Sequence, residues 1–213
     1  MNIIGFDFSI NKPAACIFSN GKYSFMSWPY SISDKSIKTF RESGITIIDR
    51  IDNKEHELGL TSKMRWEVEN ARYLSNLITE SLKCYFNGDT YLAFEGLSYG
   101  SGGDSGIQLG GYKYILMNEL SQYVSLDHMY TYSPITIKSI AGCAKKGMGK
   151  SEMIDEFIRS GPPHCKFRLK LFEKREIFMK KGGRNWIEHV DDLVDAYWVI
   201  QTILKKEEIQ CLV

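Results

Sequence analysis

Asn2-Ile3-Ile4-Gly5-Phe6-Asp7-Phe8 reads as a buried β-strand that carries one carboxylate near its end. Isoleucine and phenylalanine suit a pleated, packed surface, and no turn signal interrupts the run before Asn11-Lys12-Pro13. A second strand is expected over residues 14–19. Asn20-Gly21 then offers the two positive-φ residues of a tight hairpin, and a third strand follows over residues 22–28. The chain thus opens as a three-stranded antiparallel meander with an aspartate at the mouth of its first strand.

Working outward, residues 30–60 are polar and weakly patterned, with Ile45-Thr46-Ile47-Ile48 as a short extra strand. Thr61 caps a helix expected to run to Phe86, because Met64, Val68, Leu74, Leu77, Ile78 and Leu82 recur at helical spacing. A short buried strand follows over residues 90–94, with Glu95 at its carboxyl end. A glycine-rich loop over residues 96–106 leads into a helix over residues 107–124, and residues 129–132 form another strand. Ser133-Pro134 is a helix start, with a capping hydroxyl followed by proline at the first helical position. That helix ends near Gly142, Lys145 to Gly149 make a basic turn, and Ser151 begins the next helix. Gly161-Pro162-Pro163 breaks the chain, and residues 167–181 read as a basic amphipathic helix or a mobile arm. A final helix spans residues 190–206, with Leu193, Ala196, Tyr197, Ile200 and Leu204 on one face. This alternation describes one mixed α/β domain over residues 1–213, with a basic insertion at about 157–188.

Composition narrows the class. With 43% hydrophobic and 25% charged residues, the 213-residue chain has the balance of a folded domain, not of a disordered segment. No apolar run approaches the roughly 20 residues needed to cross a bilayer, and the start at Met1 lacks a signal-peptide pattern. Cys16, Cys84, Cys143, Cys165 and Cys211 are odd in number and scattered, which suits reduced thiols in a cytoplasm better than disulfides or structural zinc. Net charge is only +1, but residues 133–189 hold thirteen cations against six anions. Such a segment is a candidate phosphate-binding face.

Three carboxylate positions carry the chemistry. Asp7 sits among Ile3, Ile4, Phe6 and Phe8; Glu95 follows Leu92-Ala93-Phe94; the last helix begins Asp191-Asp192-Leu193-Val194-Asp195. A charge at the end of an apolar strand is costly unless it is paired or binds a cation. Asp192 and Asp195 are three apart and Asp191 and Asp195 four apart, so either pair projects from one helical face. Hard oxygen ligands gathered in this way suit Mg²⁺, and two such ions can activate water and stabilise a leaving oxygen on phosphorus. Taken singly each acid has an ordinary explanation, as a turn residue or as a partner of the helix dipole. Their order along the chain is the stronger signal.

That order resembles the RuvC-type Holliday-junction resolvases of the RNase H-like superfamily. Ile3-Ile4-Gly5-Phe6-Asp7-Phe8-Ser9 is similar to the family's first strand, and Leu92-Ala93-Phe94-Glu95 to its strand ending in a catalytic Glu. Ser105-Gly106-Ile107-Gln108-Leu109-Gly110-Gly111 resembles its S-x-x-x-L-G passage, residues 134–150 its basic segment, and Asp192-Leu193-Val194-Asp195-Ala196 its terminal D-x-x-D-A. The resemblance is collinear and covers most of the chain. It implies an RNase H-like α/β fold, a central mixed sheet flanked by helices, and Asp7, Glu95, Asp192 and Asp195 as ligands of two Mg²⁺ ions, with Mn²⁺ able to substitute. Asp191 is the alternative to Asp192. Lys138 and Lys150 would contact phosphates, Lys150 also offsetting transition-state charge, with Lys145, Lys146, Arg168 and Lys170 as further DNA contacts. The implied partners are branched DNA, above all four-way junctions, and a second copy of the chain in a homodimer. Hydrolysis would leave a 5′-phosphate and a 3′-hydroxyl. Either a cellular or a phage-encoded origin fits.

Two departures bear on specificity. The family's junction aromatic follows its Glu closely, and Tyr99 is the nearest candidate at a different offset. The stretch over residues 157–188 is longer than the family's spacer. Other readings are an RNase H-fold nuclease acting on RNA–DNA hybrids, flaps or other branched DNA, and a catalytically silent DNA-binding protein. An actin-like or sugar-kinase arrangement needs two such domains, for which 213 residues are too few. Gly147-Met148-Gly149-Lys150-Ser151 is no phosphate-binding P-loop, because position 144 is Ala.

Overall fold

The computed structural model describes residues 1–30, 32–50, 60–97, 104–145, 147–180, 186–187 and 189–209. Its sheet begins with the expected meander: β1 (Asn2–Asp7), β2 (Ala14–Ser19) and β3 (Lys22–Ser27) pair antiparallel in sequence. Asn20 and Gly21 turn the hairpin at φ +51° and +72°, the conformation the dipeptide was expected to supply. β5 (Thr90–Glu95) lies parallel to β1, and β6 (Met129–Tyr132) lies parallel to β5. β4 (Ile45–Ile47) adds parallel to β3, so the six strands run in the order β4-β3-β2-β1-β5-β6.

Strand alternation sends the apolar residues to two cores. Ile4, Phe6, Ile17, Leu92 and Phe94 face one side, where α2 (Leu60–Leu82) and α3 (Asp104–Leu120) cover them. Ile3, Cys16, Phe25 and Ala93 face the other. That side is covered by α7 (Val190–Lys206), together with α4 (Pro134–Ile140), α5 (Lys150–Ser160) and α6 (Lys166–Glu173). α1 (Asp34–Glu42) contributes Phe40 to the same core, beside β4.

α7 has the expected bounds and is buried on nearly all sides, including every residue of the expected face except the half-buried Leu204. It crosses β1 at Gly5, where a Cβ would lie 2.5 Å from the Ala196 carbonyl oxygen and 2.8 Å from Ile200 Cγ1. Only a residue without a side chain lets the helix settle this closely on the strand.

Several expectations change. The polar stretch after residue 30 holds α1, capped by Ser33, whose side chain accepts from the Ser36 N–H. α2 stops at Leu82 and continues as a 3₁₀ turn over Lys83–Tyr85, while Met64 and Val68 stand exposed on its first turns. α3 starts at Asp104 and ends at Leu120, not at residues 107 and 124. Over its described residues, 167–180, the basic stretch is neither one long helix nor a free arm. It is α6 followed by a 3₁₀ turn over Arg175–Phe178, anchored by the buried Phe167, Leu171 and Phe178. The Phe167 ring centroid lies 5.2 Å from that of Phe25 and 6.1 Å from that of Phe178. Three large apolar side chains buried on the core outweigh the solvation of the intervening lysines, which keep their charges outside.

Candidate metal centre and nucleic-acid cleft

β1 and β5 end side by side. Their register pairs Gly5 with Ala93 and Phe6 with Phe94, whose rings stack at 4.8 Å, and Asp7 and Glu95 are the next residues along. Alternation puts both carboxylates on the face that α7 covers. The close crossing at Gly5 then brings Asp195, one residue before Ala196, over the strand ends. One carboxylate oxygen from each of Asp7, Glu95 and Asp195 lies within 4.8 Å of the other two.

Three acids this close, in a half-buried to buried setting, resist ionisation. Burial, then the charges of Asp195, Asp192 and Glu95, push the Asp7 carboxyl well above the usual range. Burial also raises Glu95, with Lys150 opposing. Asp195, 7% exposed, is pushed up to about 8 by burial, against the pull of Lys150. Such a group is costly unless a cation joins it. The donor set is all carboxylate oxygen with no thiolate or imidazole in the triad, which fits a hard divalent ion such as Mg²⁺.

Lys150 begins α5 and reaches across to α7. Its Nζ lies 2.6 Å from Asp191 Oδ2, 3.7 Å from Asp192 Oδ1 and 3.9 Å from Asp195 Oδ2. Burial acts to lower the ammonium's pKa, but the Asp191 hydrogen bond and the three aspartate charges raise it on balance. These distances separate the neighbouring aspartates. Asp191 is engaged by Lys150 and borders a second cleft, whereas Asp192 borders both that cleft and the acid cleft. Asp192 stands outside the triad of close oxygens. Its Oδ2 lies 3.1 Å from Nδ1 of His189, a residue buried to 1% exposure at φ +82° just before α7. The contact lacks hydrogen-bond alignment, and neither ring nitrogen of His189 has a hydrogen-bond partner.

The acid cleft, about 420 Å³, is walled by Asp7, Glu95, Asp192 and Asp195 and carries Lys138, Lys150 and Lys113. Lys138, from α4, is near enough for its charge to act on Glu95. Lys113 was not singled out in the sequence, where a lysine amid a helix reads as a solvent-facing residue. It is 6% exposed, donates from Nζ to the Glu95 carbonyl oxygen at 2.7 Å, and lies 5.5 Å from the Phe94 ring centroid. Burial lowers its pKa to about 8, with Glu95 opposing. Its one sequence signal is the spacing of four from Leu109, which puts both on the face of α3 toward this cleft.

The remaining expected DNA contacts are spread out. Lys145 is exposed on the turn before α5. Arg168 donates to the Arg159 carbonyl oxygen at 3.2 Å, at the end of α5 remote from Lys150 by about 14 Å of helix rise. Lys170 lies on α6 and borders neither cleft. Tyr99 and Lys146 lie outside the described residues.

No family model matches the chain, and no curated protein does. Among solved structures, RuvC of Thermus thermophilus aligns at a TM-score of 0.51 with 11% identity, covering 96% of each chain. The same organism's RuvC in complex with a Holliday junction substrate aligns at 0.50 with 10% identity, over 96% of this chain and 95% of that one. The yeast mitochondrial Holliday junction resolvase Ydc2 aligns at 0.46 with 12% identity, over 94% and 76%. The likeness to RuvC extends over nearly the whole chain and establishes an α/β, RNase H-like fold of the RuvC kind. Among the described residues no helix is long and apolar enough to cross a membrane.

Proposed function

We propose that this protein is a divalent-metal-dependent endonuclease acting on branched DNA, with four-way junctions as its preferred substrate. One observation carries the reading: a fold aligned end to end with RuvC converges three unfavourably ionised carboxylates from β1, β5 and α7 beside an ordered lysine. Nothing about folding rewards such a cluster, which is the usual mark of a site kept for chemistry.

Asp7, Glu95 and Asp195 would hold the ions, with Asp192 completing the set. When bound, Mg²⁺ or Mn²⁺ supplies Lewis acidity to the phosphodiester and to the attacking water. The protein's own contribution is positional. β1 and β5 fix Asp7 and Glu95 on rigid strand ends, and Gly5 sets the height of Asp195 above them. Lys113 grips the backbone of Glu95 and adds positive charge beneath the cleft. Lys138 and Lys150 border the cleft where phosphate oxygens would lie, and Lys150 offsets charge that grows on the phosphate during attack. Arg168, at the end of α5 away from Lys150, and Lys170, which borders neither cleft, are poor candidates for scissile-phosphate contacts.

We read residues 1–213 as one catalytic domain that works as a homodimer, since two-fold symmetry suits paired nicks in a junction. Exposed Met64 and Val68 on α2, with Ile107 and Tyr114 on the adjoining α3, offer apolar surface for a second copy.

The test is cleavage of a labelled four-way junction, a fork and a linear duplex, with Mg²⁺ or EDTA, alongside Asp7→Asn. Paired symmetric nicks in the junction alone, lost with EDTA and with the substitution, are expected. Cutting of all three DNAs would keep the nuclease and remove the junction preference. Cutting only of an RNA–DNA hybrid would move the substrate class, and no cutting of any nucleic acid would leave a silent binder.

A further inference from the structure

The geometry points to a nucleobase-binding subsite next to the acid cleft, built by the basic insertion and centred on Trp186. The inference rests on the nuclease reading, because its ligand is a base of the same DNA strand whose phosphate meets the acids.

A second cleft of about 730 Å³ lies against the first and shares Ser9, Leu109, Lys150 and Asp192 with it. A strand that crosses Lys150 therefore passes from one cleft into the other. The two walls differ in chemistry. Carboxylates ring the first cleft, whereas in the second the anions Asp191 and Asp192 are both within 4 Å of Lys150. Beyond them the second cleft offers Ile10, Ile154, Ile187 and Trp186, with the amide side chains of Asn11 and Gln108. Apolar walls with a few amide groups suit a flat heterocycle with donors and acceptors on its edge.

Trp186 is held ready for stacking. Its backbone pairs with Met179, and the next residue, Ile187, donates its N–H to the Phe178 carbonyl oxygen at 2.7 Å. The Arg175 guanidinium carbon sits 4.6 Å from the indole centroid, fixed in turn by Asp155 at 2.7 Å. The indole N–H points to Ser151 Oγ at 3.4 Å. With one face backed by Arg175 and the edge engaged, the opposite face is what the ring can present to a base. Gln108 donates through Nε2 to Glu67 at 3.1 Å, which orients its amide. His189 lines the same cleft from beneath, with Nδ1 3.1 Å from Asp192 Oδ2 and the ring 1% exposed, so it shapes the cleft floor without reaching a base. Lys12 and Lys180 also line the cleft.

The experiment is equilibrium binding of labelled four-way junctions in Ca²⁺, each with one abasic nucleotide at a successive position around the cut point. Wild type, Trp186→Ala and Trp186→Phe are compared, and cleavage in Mg²⁺ is mapped in parallel. Wild type should lose about tenfold in affinity when the abasic position falls within one or two nucleotides of the scissile phosphate. Trp186→Ala should abolish that dependence and Trp186→Phe should keep it. Equal affinity for all abasic positions, with cutting intact, would overturn the subsite and leave the nuclease standing. Position dependence without cutting would keep the subsite and overturn the nuclease. Failure to bind any DNA would overturn both.

Discussion

The acidic and basic regions of this molecule use charge in opposite ways. Asp7, Glu95 and Asp195 are drawn together where β1 and β5 end beneath α7, and their mutual repulsion raises the cost of ionising the cluster. The cations of α6 and the turn after it ride on a segment whose hold on the protein is Phe167, Leu171 and Phe178. Charge gathered against its own repulsion is a stronger pointer to a site than charge carried on the outside of a packed segment. Local density of lysine and arginine is therefore a weaker guide to function here than three acids that stability alone would keep apart.

The largest expected effect tests the first half of that contrast. Asp7→Asn should lower metal-dependent cleavage by at least the order of 10³-fold, while raising the melting temperature in EDTA. A variant that is both active and less stable would make the acids ordinary structure. Phe178→Ala tests the second half. A core anchor should cost about 3–5 kcal/mol in urea unfolding, and a cost below about 1 kcal/mol would return the segment to the status of an arm.

Metal addition links the acid cluster to stability. Mg²⁺ at a hundredfold excess over its Kd should add about 2.7 kcal/mol to the unfolding free energy, and none in Asp7→Asn, as read by thermal melts. Proton uptake gives a related measure. The folded carboxyl of Asp195 sits at about 8, above its ordinary value of 3.8, so the folded state holds a proton there that the unfolded state has lost. Its stabilising contribution is full below about pH 4 and is lost as pH rises through 8. In EDTA the wild type should fall behind Asp195→Asn over that window by at least the order of 1 kcal/mol, and parallel curves would contradict the burial argument. The smallest effects belong to the cations. Lys170→Ala should change junction affinity by less than about twofold, whereas Lys138→Ala should weaken it and lower the salt slope by about 1.

How far the sequence reaches follows the same physics. α7 was legible to the residue because its apolar periodicity is dense and its start is crowded with aspartates. The Asn20-Gly21 hairpin and the Ser133-Pro134 helix start were legible because local backbone chemistry determines them. α1 escaped notice because it is short and mostly polar, with Phe40 its one fully buried side chain. The anchoring of α6 escaped it because lysine and arginine interrupt Phe167 and Leu171 within two turns. Asp7, Glu95, Asp192 and Asp195 could be named in advance because of their order along the chain, a strand Asp, a strand-end Glu and a helical pair. The separation of Asp192 from the other three, the engagement of Asp191 by Lys150, and the burial of Lys113 depend on how α3, α5 and α7 pack, which no local pattern encodes.

Gly5 turns this dependence into a criterion for reading other genomes. The missing methyl group acts as a ruler: with it absent, α7 descends until Asp195 meets Asp7; with it present, the helix must ride higher and the carboxylates part. Among chains that keep the same acids in the same order, a larger residue at this position would identify lineages that inherited the letters of the site but no longer close it. One methyl group's worth of space, two residues from Asp7 on β1, would then decide whether the acid cluster closes.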